Sequence, residues 1–198
     1  MKILIIGATG SVGSVTRNYF LENTDDQLTL MARNISRLGE LSNRETAVEA
    51  SVDDIAELQA AIEDQDVVFA ALSGDLAKYA HNIVKAMAAT KVTRLIFISS
   101  MGIYNEIPAS VGEAGNLATN PMLKTYRQAA DVIETSDLNY TVIRPGWFDN
   151  GSDDYQITHK GEPFGGHDVS RRSIADLVVK LAHDNQLGSR DSLGINRK

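Results

Sequence analysis

Cysteine is absent from the 198 residues. This excludes a disulfide framework and any thiol nucleophile, and it is compatible with a reducing compartment. No stretch approaches the roughly 20 consecutive apolar residues that a membrane-spanning helix needs. The apolar start of MKILIIGATG stops at Gly7, too early for the core of a signal peptide, and reads as a strand. A cytoplasmic protein with no membrane partner is the expectation. Positive charge is in the minority: 19 Lys+Arg against 26 Asp+Glu give a net charge of −7. That balance opposes nonspecific attraction to nucleic acid or anionic lipid, so no nucleic-acid partner is expected, although a local basic pocket is allowed. The four histidines, His81, His159, His167 and His183, lack a metal-binding spacing such as H-E-x-x-H, and no metal is expected. Linkers, repeats and low-complexity segments are also missing, which predicts one domain over residues 1–198.

What is present is ordinary globular composition, 43% hydrophobic and 23% charged, with short apolar runs that alternate with helical patterns. Ile3 to Ile6 reads as a strand, about Ser11 to Leu21 as a helix, and Gln27 to Met31 as a second strand. A weaker strand at Ala47 to Ala50 precedes a helix in which Ile55, Leu58 and Ile62 share a face, capped by Asp53 or Asp54. Asp66 to Ala71 and RLIFIS are nearly all apolar, as expected of interior strands, and flank a helix from Asp75 to Thr90. A loop to Asn120, an amphipathic segment from Pro121 to Thr135 and the strand YTVIR follow. The order predicts right-handed βαβ units: a Rossmann-type, doubly wound α/β fold with a mainly parallel sheet and helices on both faces. The roughly 50 residues after Pro145 read as a small substrate-side region. They would form a cap or an edge, not a second domain, and hold a short strand at Tyr155 to Thr158, a helix from about Ser173 to His183 and a final apolar LGI.

Gly7, Gly10 and Gly13 sit between the first strand and the first helix, spaced G-x-x-G-x-x-G. Such a turn lets the backbone approach a pyrophosphate, lets helix and strand pack closely, and aims a helix N-terminus at phosphate charge. Thr9 and Ser11 add hydroxyl donors beside Val12. A glycine-rich turn that merely joins strand to helix is the alternative. About twenty residues beyond Gly13, at the end of the second strand, the sequence reads MARN. An acidic side chain there would receive the ribose hydroxyls of NAD. Arg33 would instead pair with a 2′-phosphate, with Arg37 one turn on, which predicts NADP(H) in preference to NAD(H). A solvated strand-end charge is the other reading of Arg33.

GATGSVG, MARN, FISSMGIY and YTVIRPGW, in that order, resemble the atypical short-chain dehydrogenase/reductases, specifically their NmrA-like NAD(P)H-binding group. The resemblance runs through nearly the whole chain. It implies that Asn34 accompanies Arg33 at the cofactor and that Ala71, Leu72 and Ser73 run beside the ribose and pyrophosphate. Ser99, Pro145, Gly146 and Trp147 would lie at the nicotinamide end. Family members usually read GDVTD after the third strand; here the match is ASVDD, which leaves Ser51 and Val52 as adenine neighbours.

The wider superfamily protonates its substrate with a tyrosine assisted by a lysine four residues on, and polarises it with a serine. Ser100 falls at the serine position. Tyr126 lies on the matching helix, but Ala130 follows where the lysine belongs, and the shifted register puts Met122 in the tyrosine's place. The YxxxK pair is therefore absent. Tyr126 would still sit beside the nicotinamide ribose, and Tyr104 and Trp147 would face a substrate. Arg171 and Arg172 are explained by a capped amphipathic helix, with anion binding as the alternative. These features predict an NADPH-dependent oxidoreductase acting on a small molecule such as a quinone or enone. The alternatives are a non-catalytic NADP(H) sensor that signals to a protein partner, and an epimerase or lyase acting on a nucleotide-linked substrate.

Overall fold

The computed structural model describes all 198 residues. An eight-stranded sheet carries the fold, in the order β3-β2-β1-β4-β5-β6-β10-β8. Its strands are β1 (Lys2–Ile6), β2 (Gln27–Ala32), β3 (Glu45–Glu49), β4 (Val67–Ala70), β5 (Arg94–Ile98), β6 (Asn139–Pro145), β8 (Tyr155–Thr158) and β10 (Asp191–Arg197). Seven run parallel to their neighbours, and only β8 pairs antiparallel, with β10. A second, two-stranded ribbon joins β7 (Trp147–Asp149) to β9 (Asp168–Ser170). The strand order reverses between β1 and β4, and in open parallel sheets such a switch point opens a crevice at the carboxyl ends of the strands.

Helices cover both faces because the inner strands are apolar on both sides; every residue of β4 and β5 is buried. On one face α2 (Ile55–Ile62), α3 (Leu76–Ala88) and α4 (Lys124–Glu134) pack Leu58, Ile83 and Ile133 against Leu4, Val68 and Phe97. On the other, α1 (Ser11–Asn23) and α5 (Arg171–His183) bring Phe20 and Leu177 against Ile5, Phe69 and Ile96. The 3.6-residue periodicity that located these helices is the pattern that buries them. Asp54, not Asp53, caps α2, accepting from the amides of Ala56 and Glu57. Ser170 caps α5 by accepting from Ser173, so that helix starts earlier than its apolar stripe suggests.

The residues after Pro145 supply an edge, as one of the two readings had it, and also more than a small substrate-side region. β10 lies inside the main sheet beside β6, β8 forms its edge, and α5 is a full cover helix. Only the β7–β9 ribbon sits at the substrate end. The ribbon was unforeseen because its two strands are three residues each and show no alternation. The third strand begins two residues and ends one residue earlier than expected, at Glu45–Glu49; as an edge strand it is only half-buried and its pattern is weak.

One ion pair ties the loop after β5 to β6. Arg144, on β6, is completely buried, and its guanidinium lies 2.5 Å from Glu106 Oε1. It also donates to the hydroxyl and carbonyl oxygens of Ser192 on β10. Glu106 in turn accepts from the amides of Gly102 and Tyr104, so one carboxylate fixes the path of residues 102–106. Removing one partner of a buried pair strands the other charge without compensation. Glu106→Ala is expected to destabilise the fold by about 3–5 kcal/mol in urea unfolding; a change within 0.5 kcal/mol of zero would show that the pair does not hold the loop.

Candidate functional site

A groove runs along the carboxyl edge of the sheet in three connected sections. The first, about 330 Å³, lies over the ends of β1, β2 and β4 and is lined by Gly7, Thr9, Gly10, Ser11, Arg33, Arg37, Ser51, Val52, Asp53, Ala71, Leu72, Ser73 and Tyr79, among others. The second, about 200 Å³, shares Gly10, Ser11, Ala71, Leu72 and Ser73 with the first and adds Val12, Ile98, Ser99, Tyr126 and Phe148. The third, about 340 Å³, continues from Ser99, Tyr126 and Phe148 to Ser100, Met101, Gly115, Asn120, Met122, Leu123, Pro145, Gly146 and Trp147.

The turn after β1 has the shape that its glycines require. Gly7 has φ +86°, and a Cβ there would lie 2.2 Å from the Ala71 carbonyl oxygen. A Cβ on Gly13 would meet the Gly7 carbonyl oxygen at 2.2 Å. Gly13 is thus a packing residue that lets α1 close onto the turn, and it does not line the groove. Gly10 precedes α1 without any side-chain cap, and the first turn carries no acidic residue. The opening amides of an α-helix have no partner within the helix. Here no side chain caps them, and Ser11 and Val12 line the groove, an arrangement that suits a pyrophosphate.

At the far end of the first section Arg33 and Arg37 supply positive charge in an otherwise acidic protein. The loop after β3 is held rigidly. The Asn82 amide nitrogen donates to the Val52 carbonyl, the Ser51 hydroxyl accepts from the Asp53 amide, and the Ser51 amide donates to Glu57. Asp53 lines this section and pairs with Lys78 at 2.6 Å; its place in the groove was missed because the sequence offered it as a helix cap. Tyr79 was missed as one more residue of a buried helix pattern. Asn34 is not part of the wall: its side chain accepts from the amide and hydroxyl of Ser36 and caps a short turn over Ile35–Leu38.

In the third section Ser100 is half-buried, and its hydroxyl donates to the Met101 carbonyl at 3.1 Å, leaving its lone pairs free. The Ser99 hydroxyl is buried without a partner. Gly146 is required where β6 passes the ribbon, since a Cβ would come within 2.4 Å of the His167 carbonyl oxygen. Tyr104 does not face the groove, contrary to expectation. Its hydroxyl bonds to Glu134 and Ser192, and its ring is flanked by Arg127, Arg144 and Lys160. Burial, reinforced by the hydrogen bond to the Glu134 carboxylate, holds its pKa well above the ordinary tyrosine range. It serves as a structural strut. Phe148 escaped notice, although an aromatic pair directly after Pro-Gly was a signal that could have found it, and Met122, named only as the residue in the tyrosine's place, lines the groove as well.

Other candidate groups are engaged elsewhere. Arg171 contacts Asp149 and Asn150, while Arg172 pairs with Glu22 and Asp153. Three histidines each sit against one aspartate: His159 with Asp191, His167 with Asp168 and His183 with Asp26. No helix is long and apolar enough to cross a membrane.

A parallel sheet with a switch-point groove and an uncapped glycine turn defines a dinucleotide-binding protein. Residues 7–185 match the model of the NAD(P)H-binding family, and the chain belongs to that family. A short-chain dehydrogenase/reductase from Veillonella parvula, solved in complex with NADP, is 28% identical, with a TM-score of 0.91 over 99% of this chain and 94% of that one. A Rossmann-fold NAD(P)-binding family protein from Shigella flexneri is 33% identical, with a TM-score of 0.85 over 99% and 93%. In Bacillus subtilis the uncharacterized sugar epimerase YhfK is 28% identical over 192 residues, 90% of this chain and 86% of its own. The atypical short-chain dehydrogenase/reductase resemblance and the Rossmann fold both hold.

Gly7→Ala is expected to remove dinucleotide binding and to lower stability by roughly 1–3 kcal/mol, the cost of a strained backbone position. Calorimetric titration and thermal unfolding measure the two effects; wild-type affinity in the variant would contradict the close approach to Ala71.

Proposed function

We propose that the protein is an NADP(H)-dependent oxidoreductase acting on a small organic carbonyl compound such as a quinone or enone. The observation that carries this reading is the layout of the groove: Arg33 and Arg37 at one end, uncovered helix amides in the middle, and Ser100 with Tyr126 at the other. Two guanidinium groups suit a 2′-phosphate, where NAD specificity calls for an acidic acceptor. When bound, the reduced nicotinamide supplies a hydride. On this reading the Ser100 and Tyr126 hydroxyls donate to the oxygen on which negative charge develops, Ser100 turning its proton away from the Met101 carbonyl. The complex of the Veillonella relative with NADP favours the same cofactor.

A second reading has its own support. Ala130 stands four residues after Tyr126, and none of the residues lining the third section is cationic. A tyrosine without a neighbouring cation is a weak acid catalyst. On this reading the protein is an NADP(H) sensor that binds one redox form more tightly and signals to a protein partner.

Arg33→Ala is expected to weaken NADPH binding by about 10- to 100-fold, the loss of a charge-assisted contact worth roughly 1.5–3 kcal/mol, and to leave NADH binding within a factor of two or so. Calorimetry of the wild type and the variant with each cofactor reads this directly, and an unchanged NADPH-to-NADH preference would remove the NADP assignment. Ser100→Ala and Tyr126→Phe each slow substrate-dependent NADPH oxidation if the oxidoreductase reading holds. A protein that binds NADPH tightly yet oxidises it with no carbonyl compound, while discriminating NADPH from NADP⁺, is the sensor.

A further inference from the structure

The third section of the groove differs chemically from the first two. None of its twelve lining residues is charged, and Met101, Met122, Leu123, Pro145, Trp147 and Phe148 form its walls. Six large apolar side chains are exposed in the whole molecule, and three of them, Met122 at 79%, Trp147 at 62% and Phe148 at 40%, meet at this one mouth. A cluster of exposed apolar surface around a concavity marks a place where something else is buried.

These side chains are also held in position. The Trp147 indole stacks on the His167 ring at a centroid separation of 6.2 Å and an interplanar angle of 21°, and the His167 ring is itself fixed by Asp168 at 2.7 Å. The Arg171 guanidinium lies 5.3 Å from the centroid of the Phe148 ring, and it donates to the Asp149 backbone carbonyl and the Asn150 side-chain Oδ1. The ribbon therefore presents a prearranged aromatic wall, with an unbranched, adaptable methionine as a further wall at the same mouth.

We infer that this section takes an uncharged, flat, largely apolar ring compound, about one or two rings in size, and that it rejects nucleotide-linked sugars. The inference rests on the proposed carbonyl-reducing reading and narrows its substrate. Flat rings stack favourably on an exposed indole, and the polar end of such a compound meets Ser100 and Tyr126 at the junction with the second section. A nucleotide-linked sugar brings a diphosphate and several hydroxyls. The section offers the diphosphate no cation, and burying charge or hydroxyls against these walls without partners is costly. The epimerase name of the Bacillus relative is thus not matched by the chemistry of this cavity.

Trp147 is the only tryptophan, so its emission reports on the section directly. NADP⁺-loaded protein is titrated with 2-methyl-1,4-naphthoquinone, its sulfonate and UDP-glucose, following Trp147 fluorescence with inner-filter correction and calorimetry in parallel. The neutral quinone is expected to bind at least about 10-fold more tightly than the sulfonate, UDP-glucose not to bind, and Met122→Ser to weaken the quinone about 3- to 10-fold at an unchanged melting temperature. Equal affinity for the neutral and sulfonated compounds, tighter binding of UDP-glucose, or no effect of Met122→Ser would overturn the inference. Direct titration with NADPH separates the two claims. NADPH bound without the quinone defeats only this inference. The quinone bound without NADPH defeats only the cofactor reading.

Discussion

Between Gly7, Gly13 and the Ala71 carbonyl there is no space for a side chain, and the position of every other part of the site follows from that contact. Because the turn after β1 presses against the end of β4 and against the start of α1, the uncovered amides of that helix open directly onto the switch point of the sheet. The parallel strands then deliver their carboxyl ends, and with them Arg33, Ser51, Ser73 and Ser99, to the same edge. A parallel sheet makes this convergence inevitable, since each strand enters from the same side and each loop after it lands at the same end.

The third section of the groove depends on a different device. The Arg144–Glu106 pair joins β6 to the loop after β5, and Phe164 donates its amide to the Glu106 carbonyl. The backbone adds to this: the Met101 amide donates to the Pro145 carbonyl and the Gly146 amide to that of Ile195. Ser100 and the Pro145–Trp147 segment thus sit on a scaffold of buried polar contacts, while the walls they carry are apolar. Buried networks of this kind fix geometry more than they add stability.

Much of the fold was legible because interior parallel strands and their cover helices write their burial into the sequence. VVFA and RLIFI are apolar throughout, and Ile55, Leu58 and Ile62 repeat at helical spacing. The glycine turn and Arg33 were legible for the same reason: each sits at a strand end that the periodicity had already located. The rest was lost where a side chain or strand is claimed by a partner that the strand and helix pattern does not reveal, in most cases one distant in sequence. Tyr104 looked like a cleft residue until Glu134 and Ser192, 30 and 88 residues away, were seen to hold its hydroxyl. Asn34 was occupied two residues on, by Ser36. The ribbon that carries Trp147 and Phe148 exists only through pairing with residues 168–170, and the destination of LGI inside the main sheet depends on its partners in β6 and β8.

On the proposed cofactor reading the free amides of Ser11 and Val12, at the start of α1, receive the pyrophosphate of the dinucleotide. Amide-resolved NMR of ¹⁵N-labelled protein during titration with NADPH tests this most directly. Large, saturable shifts at those two amides and at Arg33, with little change along β8, are the expected result. Saturating NADPH that leaves the two amides unmoved would contradict the reading and show that the glycine turn only joins a strand to a helix.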